Sequence, residues 1–323
     1  MTTAFAPRPP SAPSGHAQTV VHAQSVSKRW GARTALESAS FKITSGVTGL
    51  LGSNGAGKTT VLGMILGLHR PTGGRLDVLG LDPARNGAAV RAKVGYSPEH
   101  SALPEDMRAH DLVRHIGEIH GLPPREAAGR ASDVLWQVGL GEERFRPIGT
   151  MSTGQKQRVK LAQAIVHDPA LVLLDEPTDG LDPMQRDDML ALVRRVGHDF
   201  GINVILSSHH LEEVERVCDS AVIIFGGRVV ASGTIHELTR GGDGLIVEVV
   251  DHLDELVLEL RIRGAEIEVL HGARLLVRRR AQSPSRDDLH DLVRDALVVS
   301  GAGVKRLSSH GVSLEDVFLG VGR

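Results

Sequence analysis

At 323 residues the chain exceeds one small domain and can bury a sizeable core, since 41% hydrophobic and 24% charged residues is an ordinary globular balance. A formal net charge of −2 lacks the basic excess of a nucleic-acid surface, so no nucleic-acid partner is expected. The lone cysteine, Cys218, excludes an internal disulfide and is expected to be a small buried apolar residue in a reducing compartment.

Met1–Gly15 is rich in Pro, Ser and Ala and has no apolar stretch of the secretory-signal kind, so residues 1–18 are expected to form a disordered tail. No apolar run approaches the roughly 18 to 20 residues of a membrane helix, so the chain is expected to be cytoplasmic. Any membrane contact would then come through a partner. Strands are predicted over Val20–Ser25, Phe41–Thr44 and Val47–Leu51. Thr59–Leu68 places Val61, Leu62, Met64, Ile65 and Leu68 on one helical face. Ala102–Arg146 has helical character, broken at Gly121–Pro124 and around Gly139–Gly141. Three further apolar strands follow at Leu171–Leu174, Val204–Leu206 and Ala221–Phe225. Strands alternating with helices predict an α/β fold with a mostly parallel sheet covered on both faces.

The pattern changes near Gly241–Gly244. Beyond it come a strand (Leu245–Val250), a helix (Leu253–Arg261), two strands (Glu266–Leu270 and Leu275–Arg278), a helix (Arg286–Val299) and a strand (Val304–Leu307). That β-α-β-β-α-β order predicts a small ferredoxin-like α+β domain over 241–323, after a larger domain over 19–240. The basic cluster Arg278–Arg280 is expected to be a solvated strand end.

Gly52-Ser53-Asn54-Gly55-Ala56-Gly57-Lys58-Thr59, followed by Thr60, satisfies the phosphate-loop pattern between a strand and a helix. Glycines let the backbone wrap closely, so that its N–H groups and the helix N-terminus face phosphates. Lys58 is expected to reach the β- and γ-phosphates, and the Thr59 hydroxyl to ligate Mg²⁺. A glycine-rich turn is the plain alternative. A dinucleotide site is disfavoured because Gly55-x-Gly57-x-x-Thr60 lacks the third small residue. Leu171–Leu174 ends in Asp175 and Glu176. Asp175 is placed to hold Mg²⁺ and Glu176 to polarise an attacking water as general base.

Met151-Ser152-Thr153-Gly154-Gln155 lies ahead of that strand. Here the chain resembles the ATP-binding cassette (ABC) family, whose signature is Leu-Ser-Gly-Gly-Gln. Ser152, Gly154 and Gln155 match, Met151 conserves volume and Thr153 replaces a glycine. Without the resemblance the segment is a helix N-cap with nothing bound. With it, Ser152, Gly154 and Gln155 cap the γ-phosphate of ATP held by a second ABC subunit. The resemblance covers about Val20–Glu237 and implies further roles. Trp30 would stack on adenine, and Asp182, in Gly180-Leu181-Asp182-Pro183, would line the dimer interface. His209, in Ser207-Ser208-His209, would contact the γ-phosphate. Glu99 follows Gly95-Tyr96-Ser97-Pro98 where the family usually has glutamine, which adds negative charge beside the phosphates and metal.

The resemblance thus implies a P-loop cassette domain with a helical subdomain at about 101–150 that meets an integral membrane permease. It implies ATP and Mg²⁺ as cofactors, ATP-driven dimer closure, and a place at the inner face of the membrane through the permease. Gly311–Leu319 resembles the ending of cassettes from drug- and antibiotic-type exporters, although an amphipathic helix explains it equally well. The alternative is a soluble cassette ATPase in translation or DNA maintenance. Tandem cassettes, a basic linker, long coiled coils and zinc sites would mark it, and none is visible. A nucleotide-binding regulator without turnover is opposed by the intact Lys58, Asp175, Glu176 and His209.

Overall fold

The computed structural model describes residues 18–100, 102–239, 244–270, 272–279, 289–309, 313–315 and 317. The tail over Met1–Gly15, Ser101, Arg240–Asp243, Arg280, the first turn of the predicted Arg286–Val299 helix and most of Gly311–Leu319 lie outside the described residues. The fold divides into two compact units between Ile235 and His236.

In the first unit, β1 (Thr19–Trp30) and β2 (Arg33–Thr44) form an antiparallel pair. Val21, Ala23 and Val26 of one strand and Leu36, Ala39, Phe41 and Ile43 of the other are buried. Both strands outrun the runs visible in the sequence. Ser25 and Ser38 take φ of 48° and 44°, and the register slips beside Val26. Such bulges break apolar alternation and hide a strand's continuation. β3 (Val47–Leu51), buried throughout, leads through the Gly52–Gly57 loop into α1 (Lys58–Ile65). β4 (Gly73–Val78) adds to β1 to give the sheet order β2-β1-β4. Only Leu76 and Val78 of β4 are buried, too few to mark a strand in the sequence.

The short α2 (Gly87–Arg91) precedes β5 (Val94–Ser97). α3 (Ala109–Ile119) and α4 (Pro124–Gln137) then pack on each other and on α5 (Thr153–Ile165). Gly121 and Gly139, at φ of 92° and 81°, end α3 and α4 where the sequence predicts breaks. Alternation follows: β6 (Leu171–Asp175), α6 (Pro183–His198), β7 (Asn203–Ser208), α7 (Leu211–Val217) and β8 (Ser220–Phe225). β9 (Arg228–Thr234) returns antiparallel to β8 and runs into α8 (Ile235–Thr239).

The resulting sheet has the order β5-β6-β7-β3-β8-β9, parallel from β5 to β8. One face packs Leu50, Leu173, Ile205 and Val222 into a core shared with α1 and the three-stranded sheet. The other face is covered by α6 and α7. Each such fully buried aliphatic side chain contributes about 1.5–3 kcal/mol. Because β6, β7 and β3 are adjacent and parallel, the chain leaving each strand emerges at the same edge. That edge is where open α/β sheets bind ligands.

In the second unit β10 (Gly244–Val249), α9 (Leu253–Ile262), β11 (Ala265–Leu270), β12 (Arg274–Arg279), α10 (Leu289–Ser300) and β13 (Val304–Ser309) follow in turn. The antiparallel sheet order is β11-β12-β10-β13. Leu256, Leu260, Val293 and Ala296 of the two helices pack on Leu245, Val247, Leu275 and Val277 of the sheet. The β-α-β-β-α-β order expected from the sequence is thus present, with ferredoxin-like strand order. Among the described residues no helix is long and apolar enough to cross a membrane.

Candidate active site

The loop between β3 and α1 is forced close by its neighbours. A Cβ at Gly52 would lie 2.5 Å from the Ile224 carbonyl oxygen, and one at Gly57 2.7 Å from that of Ala35. Gly57 takes φ 115°, which a side chain would strain, and it precedes the first residue of α1. The Ala56 N–H donates to the Ser53 carbonyl oxygen at 3.0 Å, closing a tight turn. No side chain caps the start of α1. Its first N–H groups therefore have no side-chain partner, and with the positive end of the helix dipole they suit an anion.

Lys58 folds back over this loop. Its Nζ donates to the Gly52 carbonyl oxygen at 2.6 Å and lies 3.0 Å from Oε1 of Glu176. Lys58 and Glu176 are only 7% and 5% exposed, so neither charge is well hydrated and each depends on the other. Glu176 Oε2 lies 2.9 Å from His209 Nδ1. A carboxylate can only accept, so Nδ1 carries the proton there. Glu176 is the residue at which β6 turns, at φ 46°. This left-handed turn, costing about 1 kcal/mol or more in a non-glycine residue, brings adjacent carboxylates onto one cleft. Its N–H is tied to the Ser207 backbone oxygen and hydroxyl at 3.2 and 3.1 Å.

Asp175 ends β6, buried, and accepts from the Ser207 hydroxyl. Burial raises its pKa, the Ser207 bond opposes the rise and the Glu176 charge adds to it. Burial, followed by the Asp175 charge, pushes the neighbouring Tyr96 phenol up to about 12. A buried acceptor of this kind, beside a second carboxylate, suits a cation.

Trp30, Arg33, Ala35, Ser53, Asn54, Gly55, Gly57, Lys58, Thr59, Thr60, Glu99, Asp175 and Glu176 share one cleft of about 500 Å³. Trp30 is the last residue of β1, paired with Arg33. Its half-exposed ring meets His69 edge-on at 4.9 Å, and Lys28 Nζ lies 4.2 Å from its centroid. Glu99 is partnered by His100, whose Nε2 lies 3.3 Å from Glu99 Oε1. Lys160 of α5 donates to the backbone oxygens of Pro98 and Glu99 at 3.2 and 2.8 Å. Burial lowers the Lys160 pKa and the Glu99 charge opposes this. The backbone that carries the carboxylate at position 99 is thus held by a buried ammonium.

The family model for ABC transporters matches residues 36–179. The daunorubicin resistance ATP-binding protein DrrA3 of Streptomyces coeruleorubidus is 33% identical over 307 residues, covering 94% of this chain and 92% of its own. This chain belongs to the ABC transporter family. The linearmycin resistance ATP-binding protein LnrL of Bacillus subtilis is 37% identical over 242 residues, 74% of this cassette chain and 78% of its own. Among solved structures, cbiO1 from Clostridium perfringens, part of the ABC transporter complex cbiONQ, superposes with a TM-score of 0.64 at 25% identity. That superposition covers 69% of this cassette chain and 92% of cbiO1. The protein is an ATP-binding, ATP-hydrolysing subunit of an ABC transporter, not a translation or DNA-maintenance factor.

The signature side of the cassette is arranged differently from the phosphate loop. Ser152 caps α5: its hydroxyl accepts the Gln155 N–H at 3.2 Å, and Gln155 Oε1 accepts the Ser152 N–H at 3.1 Å. Asp182 caps α6 by accepting the Gln185 N–H at 2.8 Å. A Cβ at Gly154 would lie 3.1 Å from the Gln185 side chain, so the two caps are neighbours. None of Ser152, Gly154, Gln155 or Asp182 lines the cleft. Gly52 and Ala56 shape its floor without lining it, and His209 reaches it through Glu176. Sequence reasoning missed Arg33, Ala35, Tyr96, Ser207 and Lys160. Tyr96 and Ser207 stand in the segments Gly95-Tyr96-Ser97-Pro98 and Ser207-Ser208-His209, whose position beside Glu99 and His209 is the signal that leads to them.

Proposed function

We propose that the cleft binds Mg²⁺–ATP and that the chain works as a pair of cassettes driving a separate membrane permease in export. The uncapped start of α1, held under a loop whose Gly52 and Gly57 leave no room for a side chain, is the observation that carries the nucleotide reading. Thr59 and Asp175 would hold Mg²⁺, with Glu99 beside them, and the ion would neutralise charge on the phosphates. Trp30 would stack on the base. Lys58 would leave Glu176 for the β- and γ-phosphates. The freed Glu176 would then take a proton from water as its oxygen attacks the γ-phosphorus and the bond to the ADP oxygen breaks. His209, 2.9 Å away, keeps the Glu176 carboxylate aimed.

Ser152, Gly154 and Gln155 would meet the γ-phosphate on a second cassette, identical or homologous, with Asp182 at the same interface. The cassette domain would span 19–240, its helical subdomain at about 101–150 would face the permease, and 241–323 would be an accessory domain. The names of the drug-resistance relatives support export. A place at the inner face of the membrane would follow from the permease partner. Substitution tests the catalytic core: Glu176→Gln should lower steady-state ATP hydrolysis more than about 100-fold while ATP binding persists. Near-wild-type turnover in that variant would refute the general-base assignment.

A further inference from the structure

Behind the cleft lies a buried carboxylate that the chemistry above does not use. Glu213, on α7, is only 4% exposed. Its Oε2 accepts from the Thr178 hydroxyl at 2.9 Å and from the Ser208 hydroxyl at 3.1 Å. Oε1 lies 3.4 Å from Arg186 Nε in the first turns of α6. Thr178 and Ser208 are 1% and 0% exposed, so water does not compete for these bonds. Ser208 in turn accepts the His210 N–H at 3.0 Å.

The placement of these partners is specific. Thr178 lies two residues after Glu176, and Ser208 immediately before His209. One carboxylate thus ties together the two backbone segments that carry the catalytic pair, and its ion pair reaches the helix capped by Asp182. The direct Glu176–His209 contact is a single 2.9 Å bond between side chains that follow different strands. The strand ends are already joined by the Glu176 N–H bonds to Ser207, and the Glu213 tie through the Thr178 and Ser208 hydroxyls extends that hold to the residues beyond them. A buried charge with hydroxyl donors makes strong bonds of fixed direction, which an apolar contact would not supply.

We propose that Glu213 is a positioning residue that holds Glu176 and His209 in register for ATP hydrolysis. The proposal rests on Glu176 acting as the base. The loss it predicts falls on the chemical step, because no atom of Glu213 lines the nucleotide cleft.

The test compares full-length chains with Mg²⁺ and ATP, reading kcat, KM, nucleotide affinity and thermal midpoint. Glu213→Ala should lower kcat about 10- to 100-fold with KM within about threefold, the size expected when a reacting group is displaced by a fraction of an ångström to an ångström. Glu213→Gln, whose amide oxygen can still accept both hydroxyls, should restore kcat to within about fivefold of wild type. Should the alanine variant not fold, the Thr178→Val/Ser208→Ala double variant removes both donors and should lose kcat by a similar factor. A folded Glu213→Ala or double variant with kcat within about twofold of wild type, even with a lowered thermal midpoint, would overturn the positioning role. Glu176→Gln in the same assay separates the two claims. If it is inactive while Glu213→Ala is normal, only the Glu213 role fails; if it turns over normally, the base assignment fails and takes the Glu213 role with it.

Discussion

Two helix starts in the first unit use the same materials and end in opposite states. At Lys58 the helix opens uncapped, under a glycine loop crowded by Ala35 and Ile224, with a lysine held by a buried glutamate. At Thr153 it opens fully capped, with Ser152 and Gln155 satisfying each other's N–H groups in the open. The first keeps its anion-binding donors free at a cost in self-contained stability. The second has committed two of its donors locally and lies outside the cleft. The difference teaches that glycine and a helix N-terminus do not make a phosphate site by themselves; what matters is whether the local chain satisfies the donors. It also fits a cassette whose second half-site becomes useful only against a nucleotide carried elsewhere.

Removing charge from the first site should have the larger effect. Lys58→Ala takes the cation from a 3.0 Å pair in which both partners are under a tenth exposed. It should weaken ATP binding more than about tenfold and, by leaving Glu176 buried without its partner, lower stability by about 3 kcal/mol. Fluorescent-nucleotide titration and thermal melting would read the two losses separately, and unchanged affinity would dismiss the phosphate role of Lys58. Removing the cap from the second site should cost less. Ser152→Ala is expected to destabilise the isolated chain by about 1 kcal/mol, with ATP affinity of the monomer unchanged. A loss of monomer affinity would erase the distinction between the two helix starts.

The phosphate loop and the Asp175–Glu176 pair are legible because their parts are consecutive in the chain and flanked by fully buried aliphatic strands. The partners that shape them are not. Ser207 reaches Asp175 across 32 residues, Glu213 reaches Thr178 across 35, and Lys160 reaches Glu99 across 61. A serine or a lysine carries no mark of such a contact until the strands are adjacent. In the fold, the parallel strands and the β-α-β-β-α-β unit are readable as apolar runs. β4 and β9 are not, because few of their residues are buried. Asp182 and Pro183 are a helix-start signal for α6, but their likeness to the family's interface loop masks it. Trp30 is legible through the same likeness, yet its place at the end of a bulged 12-residue strand is hidden by the irregular register.

In the proposed pair, the capped segment at Ser152 completes the cleft of a second cassette. The most direct measurement is the solution mass of the Glu176→Gln chain with and without Mg²⁺–ATP, beside the same chain carrying Ser152→Asp. Aspartate keeps the helix cap but sets a carboxylate against the γ-phosphate. ATP should double the mass of the Glu176→Gln chain and leave the Ser152→Asp form monomeric at an unchanged melting temperature. A doubling that persists with Ser152→Asp, or no doubling in either at saturating ATP, would contradict this pairing.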